Sequence, residues 1–194
     1  MAKADPAASK RERNKHIKWV VTIFLSTILI SGTISLVSDA VMEASGVIMA
    51  FLILLAIVFV GIIFDIIGMA VATADEKPFH SMASRKVMGA QESIRLLRNA
   101  ERVSSICNDV VGDICGVVSG SASATIAARI LSNFEFTWPQ IVTLGMSALV
   151  AGLTVGGKAI GKTFALNSCT AIVHTVGKLI HSLHNLPRLF SRKK

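Results

Sequence analysis

Apolar residues run without a charge from Trp19 to Val37, bounded by Lys18 and Asp39. A bilayer needs about 20 such residues, so the run predicts a membrane-spanning helix. A second, more strongly apolar run covers Gly46 to Phe64 and continues to Ala74 with Asp65 as its interruption. Two weaker candidates follow. Ser104–Ile130 is rich in small residues and carries Asp109 and Asp113, and Gln140–Ile160 is apolar until Lys158. Between the second and third runs, apolar residues recur at Ile94, Leu97 and Val103 among charged ones, and Met88–Val103 reads as a helix. Phe164–Leu186 reads as a further helix with Leu166, Val173, Ile180 and Leu183 toward one side. Asn167, His174, Lys178 and His181 lie among them, which favours the membrane interface over a fifth span.

The basic residues orient these spans. Lys3, Lys10, Arg11, Arg13, Lys15 and Lys18 precede the first. Lys77, Arg85, Lys86, Arg95, Arg98 and Arg102 fill the loop between the second and third, and Lys178, Arg188, Arg192, Lys193 and Lys194 follow the fourth. The loops Val41–Ser45 and Leu131–Pro139 hold no Lys or Arg but contain Glu43 and Glu135. The positive-inside rule then places both termini and the middle loop in the cytoplasm of a multi-pass plasma-membrane protein. Arg129, near the outer end of the third span, and Lys158, within the fourth, stand apart from this pattern. The first span could instead be a signal peptide ending near Ser38–Ala40, but its apolar run exceeds the ~7–15 residues of a signal core. It is read as a retained anchor over residues 19–40, after a basic segment 1–18. The membrane domain proper covers 46–186, and 187–194 form a basic tail.

Composition agrees. The 194 residues are 52% apolar before the 14 glycines are counted and only 16% charged, against ~25% charged in a soluble domain. The net charge of +8 is therefore read as topology and contact with the lipid bilayer, not as affinity for nucleic acid. Cys107, Cys115 and Cys169 are odd in number and unpaired in spacing, which argues against disulfides and against a zinc site.

Ionisable residues at membrane depth are costly and mark a pathway or a pairing. Asp65, Asp75 and Glu76 lie on span two, Asp109 and Asp113 on span three, and Lys158 and Lys162 on span four. Asp65 and Glu76 share a helical face, with Thr73 nearby, and Asp109 and Asp113 share another at i, i+4. Asn108 adds an amide carbonyl. Such oxygens are the ligands of hard divalent cations. The competing use is structural: Lys158 or Lys162 pairing with Asp109 or Asp113 to lock the helices. Gly112, Gly116 and Gly120, continued by Ala124 and Ala128, form a ladder that allows close helix approach.

Gly156 to Thr163 matches the phosphate-loop pattern G-x-x-x-x-G-K-[ST]. That loop needs a strand before it and an α/β sheet around it, and Asp and Glu are absent after Glu135, so the match reads as coincidence. His181 and His184, at i, i+3, read as solvated interfacial residues rather than a metal clip. No Ser-His-Asp, Cys-His or paired-acid arrangement has supporting context, and the chain is expected not to be an enzyme.

Three stretches resemble the transmembrane domain of the CorB/CorC and cyclin M magnesium and cobalt transporter family. Thr73-Ala74-Asp75-Glu76 is similar to its S-A-x-E. Gly89-Ala90 followed by Ile94 to Arg102 is similar to its cytoplasmic helical hairpin. Gly157 to Ala165 is similar to its G-E-x-x-P-K-T-L-A, after which that family runs an interfacial helix. The resemblance covers about residues 47–185. It implies an all-α membrane protein of about four transmembrane helices, with a cytoplasmic hairpin between spans two and three and an interfacial C-terminal helix.

The same resemblance implies a homodimer and a divalent cation, magnesium or cobalt, as substrate. Carried over, the family's ion site takes Thr73 as its hydroxyl, Glu76 as its acid and Asn108 as its amide, with Asp109 and Asp113 as further candidates. No resident cofactor is expected beyond bound magnesium. Lys158 stands where the family has Glu, and an ammonium donates hydrogen bonds and cannot ligate a cation. Either the site is rebuilt around Asp109 and Asp113, or Lys158 replaces the cation in a non-transporting membrane interaction protein. The chain also stops short of the family's regulatory CBS domains, which implies a separate regulatory protein.

Overall fold

Helix is the regular structure throughout the described residues, the form in which a lipid-embedded backbone satisfies its own hydrogen bonds. The computed structural model describes the backbone of residues 6–43, 45–134 and 137–191, with side chains over 17–41, 45–134 and 137–184. Lys3, Glu135, Arg192, Lys193 and Lys194 lie outside the described residues, as do the side chains of Lys10, Arg11, Arg13, Lys15, Glu43 and Arg188.

The order is α1 (Pro6–Glu43), α2 (Val47–Thr73), α3 (Lys77–Ser84), α4 (Ala90–Arg98), α5 (Ala100–Ser105), a π-helical segment (Ile106–Gly112), α6 (Asp113–Asn133) and α7 (Pro139–Ser191). Among the described residues, four stretches are long and apolar enough to cross a membrane: Ile17–Val41, Val47–Thr73, Ala100–Asn133 and Pro139–His184.

Helix α2 is apolar around its whole circumference, the composition of a helix with neighbours on several sides. Gly61 packs against Cys115 and Gly68 against Asn108, so seven residues forward along α2 match seven back along the third span, an antiparallel pair. Ile62 meets Gly157 and Ile66 meets Gly161, so α7 runs parallel to α2 in a fixed register. Ala50, Leu54 and Val58 form one core with Ala122, Ile126 and Val150. At the other end Ala70, Val71, Phe79, Leu97, Ala165 and Val173 form a second core, which joins α2 and α7 to the hairpin α3–α4. Helix α1 is peripheral, with Ile23 packing beside Val110, Ile114 and Val118 while most of its apolar residues stay exposed.

Three elements differ from the sequence reading. The helix expected over Met88–Val103 breaks at Asn99, whose φ of −115° leaves the helical region and whose Nδ2 donates to the Arg95 carbonyl at 2.9 Å. The part after the break runs on as α5, so the third span starts at Ala100. The fourth span and the expected C-terminal helix meet at a kink where Ser168 takes φ −126° and ψ 21°, so the C-terminal helix begins past Ser168 and not at Phe164. No proline interrupts residues 160–168, and Gly161 lies close against Ile66. Finally, Gly116 and Gly120 of the small-residue ladder have no atom within 4 Å of where a Cβ would stand. The close approaches use Gly61, Gly68, Gly157 and Gly161 instead, because α6 turns Ile114, Val118, Ala122 and Ile126 inward.

The hairpin is clamped to α7 backbone to backbone. Gly89 has φ +84°, a left-handed conformation natural to glycine, and a Cβ there would stand 2.5 Å from the Lys178 nitrogen. Opposite it, a Cβ on Gly177 would stand 2.5 Å from the Gly89 carbonyl oxygen. The Ser93 hydroxyl, fully buried, donates to the Gly89 and Val173 carbonyls at 2.9 and 3.2 Å.

Gly177→Ala is expected to destabilise by about 1–3 kcal/mol through overpacking against backbone that cannot yield. Gly120→Ala, facing open space, leaves stability unchanged or raises it. Thermal unfolding of the detergent-solubilised chain reads both.

Candidate functional site

The charged centre of the bundle is a pair that the sequence reading did not assign. Lys158 Nζ lies 3.8 Å from Asp65 Oδ1, with 27% and 18% of the two side chains exposed. The expected partners of Lys158 were Asp109 or Asp113. Both face outward instead, and Asp109 accepts a hydrogen bond from the Ser105 hydroxyl at 2.7 Å. Helix register decides the pairing. The α2–α7 alignment sets Asp65 near Lys158, and the third span presents the other edge of its helix.

The π-helical segment completes this centre. Such segments widen one turn of a helix and recur at functional sites. Here the segment presents Asn108 and Gly112, an i, i+4 pair, toward α2. A Cβ on Gly112 would stand 3.3 Å from Lys158 Nζ, 3.4 Å from the Cys107 carbonyl oxygen and 4.0 Å from Asp65 Oδ1. The missing side chain therefore makes room for the ammonium. One turn away, Asn108 packs against Gly68, and its Oδ1 is buried without a hydrogen-bond donor among the described residues. Asp65 and Gly68 are i, i+3 on α2, so the unpartnered amide oxygen and the ion pair occupy neighbouring turns of one interface.

The other sequence-derived site residues sit elsewhere. The Thr73 hydroxyl donates back to the Met69 carbonyl at 2.8 Å at the end of α2. Glu76 lies beyond it, 3.2 Å from His80 and 3.6 Å from Arg98. Asp75 accepts from the Lys77 amide at 3.2 Å. Among the described residues, no three His, Cys, Asp or Glu side chains gather into a group that could hold a metal ion.

Two further expectations change with the fold. The Gly156–Thr163 stretch lies inside α7, so its amides face their own helix, and Gly157 and Gly161 serve contact with Ile62 and Ile66. His181 is not merely solvated: its Nδ1 is 2.9 Å from Glu92 Oε1 on the hairpin. The exceptional Arg129 is also accounted for, since its Nη1 donates to the Ser45 carbonyl at 2.7 Å in the loop after α1.

Comparison with protein-family models, with curated proteins and with solved structures gave no match. The chain's own chemistry carries the functional reading.

Asp65→Asn leaves Lys158 without its counter-charge. The expected loss is about 1–3 kcal/mol, below the ~3–5 of a fully buried pair because both ends keep some exposure. Asp65→Asn combined with Lys158→Gln recovers most of it in a double-mutant cycle by thermal unfolding. At the hairpin, the hydrogen bond from His181 holds the Glu92 carboxyl below its ordinary 4.5, outweighing the opposite effect of burial. A lowered carboxyl pKa stabilises the fold above that ordinary value and ceases to as pH falls through the folded one. Melting temperature is therefore expected to drop as pH falls below about 4.5, and Glu92→Gln removes that share of the drop.

Proposed function

We propose that this chain is a multi-pass protein of the plasma membrane, with both termini cytoplasmic, that moves a divalent cation such as magnesium or cobalt. The transporter family it resembles works as a dimer, and the same assembly is proposed here. The observation that carries the reading is Asn108. Its carbonyl oxygen is buried between α2 and the π-helical segment with no donor among the described residues to satisfy it. A buried acceptor left unsatisfied costs about 1–3 kcal/mol, and a cation is a partner that would relieve it. Asp65, one turn away, supplies the negative charge such an ion requires.

In this mechanism Lys158 is a built-in competitor. With no ion bound, its ammonium neutralises Asp65 across 3.8 Å, a loose contact for an ion pair. Cation entry beside Asn108 draws the Asp65 carboxylate away from Lys158, and departure of the ion restores the pair. Thr73 and Glu76 then belong to the cytoplasmic mouth of the path, where the exposed Glu76 carboxylate exchanges its Arg98 and His80 partners for an ion.

A second reading is favoured by the one-to-one stoichiometry of the pair. Among the described residues a single acid faces Lys158, so the lysine can also act as a permanent replacement for the cation in a membrane interaction protein that does not transport.

Magnesium-dependent melting of the purified chain separates the two. A ligand at a hundredfold excess over its Kd stabilises by about 2.7 kcal/mol, or roughly 5–10 °C for a chain of this size. Transport predicts a shift of that order in the native chain with millimolar magnesium or cobalt, lost in Asn108→Ala and Asp65→Asn. The replacement reading predicts no shift in the native chain and a gain in Lys158→Glu. Unchanged melting in every form rejects the cation site.

A further inference from the structure

The parallel register of α2 and α7 sets a boundary at the hairpin end. Ile62 stands beside Gly157 and Ile66 beside Gly161, so Thr73, the last residue of α2, is level with Ser168, where α7 bends. Residues of α7 past Ser168 lie beyond the point where α2 stops. They nevertheless expose Leu179, Ile180 and Leu183, at 58%, 38% and 61%, interleaved with Lys178 and His184. A helix that mixes exposed large apolar residues with basic and polar ones at the end of a membrane span has the composition of one lying in the headgroup layer.

Against this part of α7, the turn between α3 and α4 walls a cavity of about 280 Å³. Its lining combines polar side chains, Lys86, Gln91 and the Glu92–His181 pair, with apolar ones, Val87 and the 60%-exposed Met88. The Glu92 carboxylate is occupied by His181 at 2.9 Å. Lys86 has no ion-pair or hydrogen-bonded side-chain partner among the described residues.

The backbone at Lys86 is the second observation. Its amide bonds the Ala83 carbonyl and the Val87 amide bonds the Met82 carbonyl, each at 3.0 Å, which is the pattern that closes a helix through a left-handed residue. That residue is ordinarily glycine. Here it is a lysine at φ +55°, the one non-glycine residue with positive φ among the described residues. A side chain held in a strained backbone conformation in the lining of a cavity is a pointer to function.

We infer that this cavity is a headgroup site for an anionic glycerophospholipid of the leaflet at the hairpin end. The lipid phosphate takes the Lys86 ammonium and the Gln91 amide N–H, and Val87 and Met88 meet the start of its acyl chains. Charge complementarity selects an anionic lipid, and continuity with the membrane spans selects a lipid over a soluble phosphate. The site lies away from the Asp65–Lys158 centre and does not depend on what that centre transports.

The test is melting of the full-length chain in detergent supplemented with phosphatidylglycerol, phosphatidylcholine or inorganic phosphate alone. Phosphatidylglycerol is expected to raise the melting temperature about 5 °C more than phosphatidylcholine does, and inorganic phosphate to leave it unchanged. Lys86→Gly relieves the left-handed strain and raises basal melting by about 1–4 °C, yet loses the preference for the anionic lipid. Lys86→Arg retains that preference. Arg102→Ala, which removes an exposed cation on α5 outside the cavity, also retains it. Equal response to the two lipids overturns the site, as does a preference that survives in Lys86→Gly. Equal loss in Arg102→Ala would mean diffuse attraction and overturns it too. A shift with inorganic phosphate equal to that with phosphatidylglycerol overturns the lipid as its occupant.

Discussion

Close approach of helices to α2 is the contact on which the rest of the bundle depends. In lipid there is little hydrophobic gain from bringing two apolar helices together, so association rests on packing at short range and on polar contacts between them. Glycines create that range at Gly61 and Gly68 on α2 and at Gly157 and Gly161 on α7. Each contact also fixes a register. The antiparallel alignment with the third span and the parallel alignment with α7 leave Asp65, Lys158, Asn108 and Gly112 in one small volume.

That volume holds the chemistry. An ammonium and a carboxylate at membrane depth are each expensive alone and tolerable together. Gly112 admits the ammonium, and the π-helical turn aims Asn108 at Gly68. The result combines a charge pair with a carbonyl oxygen that has no donor among the described residues. The hairpin end follows a different logic. There the backbone contact of Gly89 with Gly177, the Ser93 hydroxyl and the Glu92–His181 pair tie soluble-type polar interactions to the end of α7.

The spans were legible because each is a local property: about 20 apolar residues in a row are recognised without knowing any neighbour. The positions of the in-span charges were legible for the same reason. Their partners were not. Asp109 and Asp113 were plausible mates for Lys158 on spacing alone, but spacing along one helix says nothing about which edge meets another. The glycine ladder on α6 misled in the same way: Gly116 and Gly120 have the right period and face open space. The Asn99 break and the exact place of the Ser168 kink also escaped, since neither position carries the proline or glycine that ordinarily announces one.

The sequence by itself therefore determined the four apolar helices, the basic and acidic sides of the loops, and the presence of a lysine and several acids where lipid makes them costly. Those are consequences of composition over short windows and of the solvent each window meets. Only the tertiary structure decided that Lys158 answers Asp65, that Asn108 is left with an unpartnered oxygen against Gly68, and that His181 reaches across to Glu92. These pairings depend on the rotation and register of whole helices, which are set by where glycines permit backbones to touch.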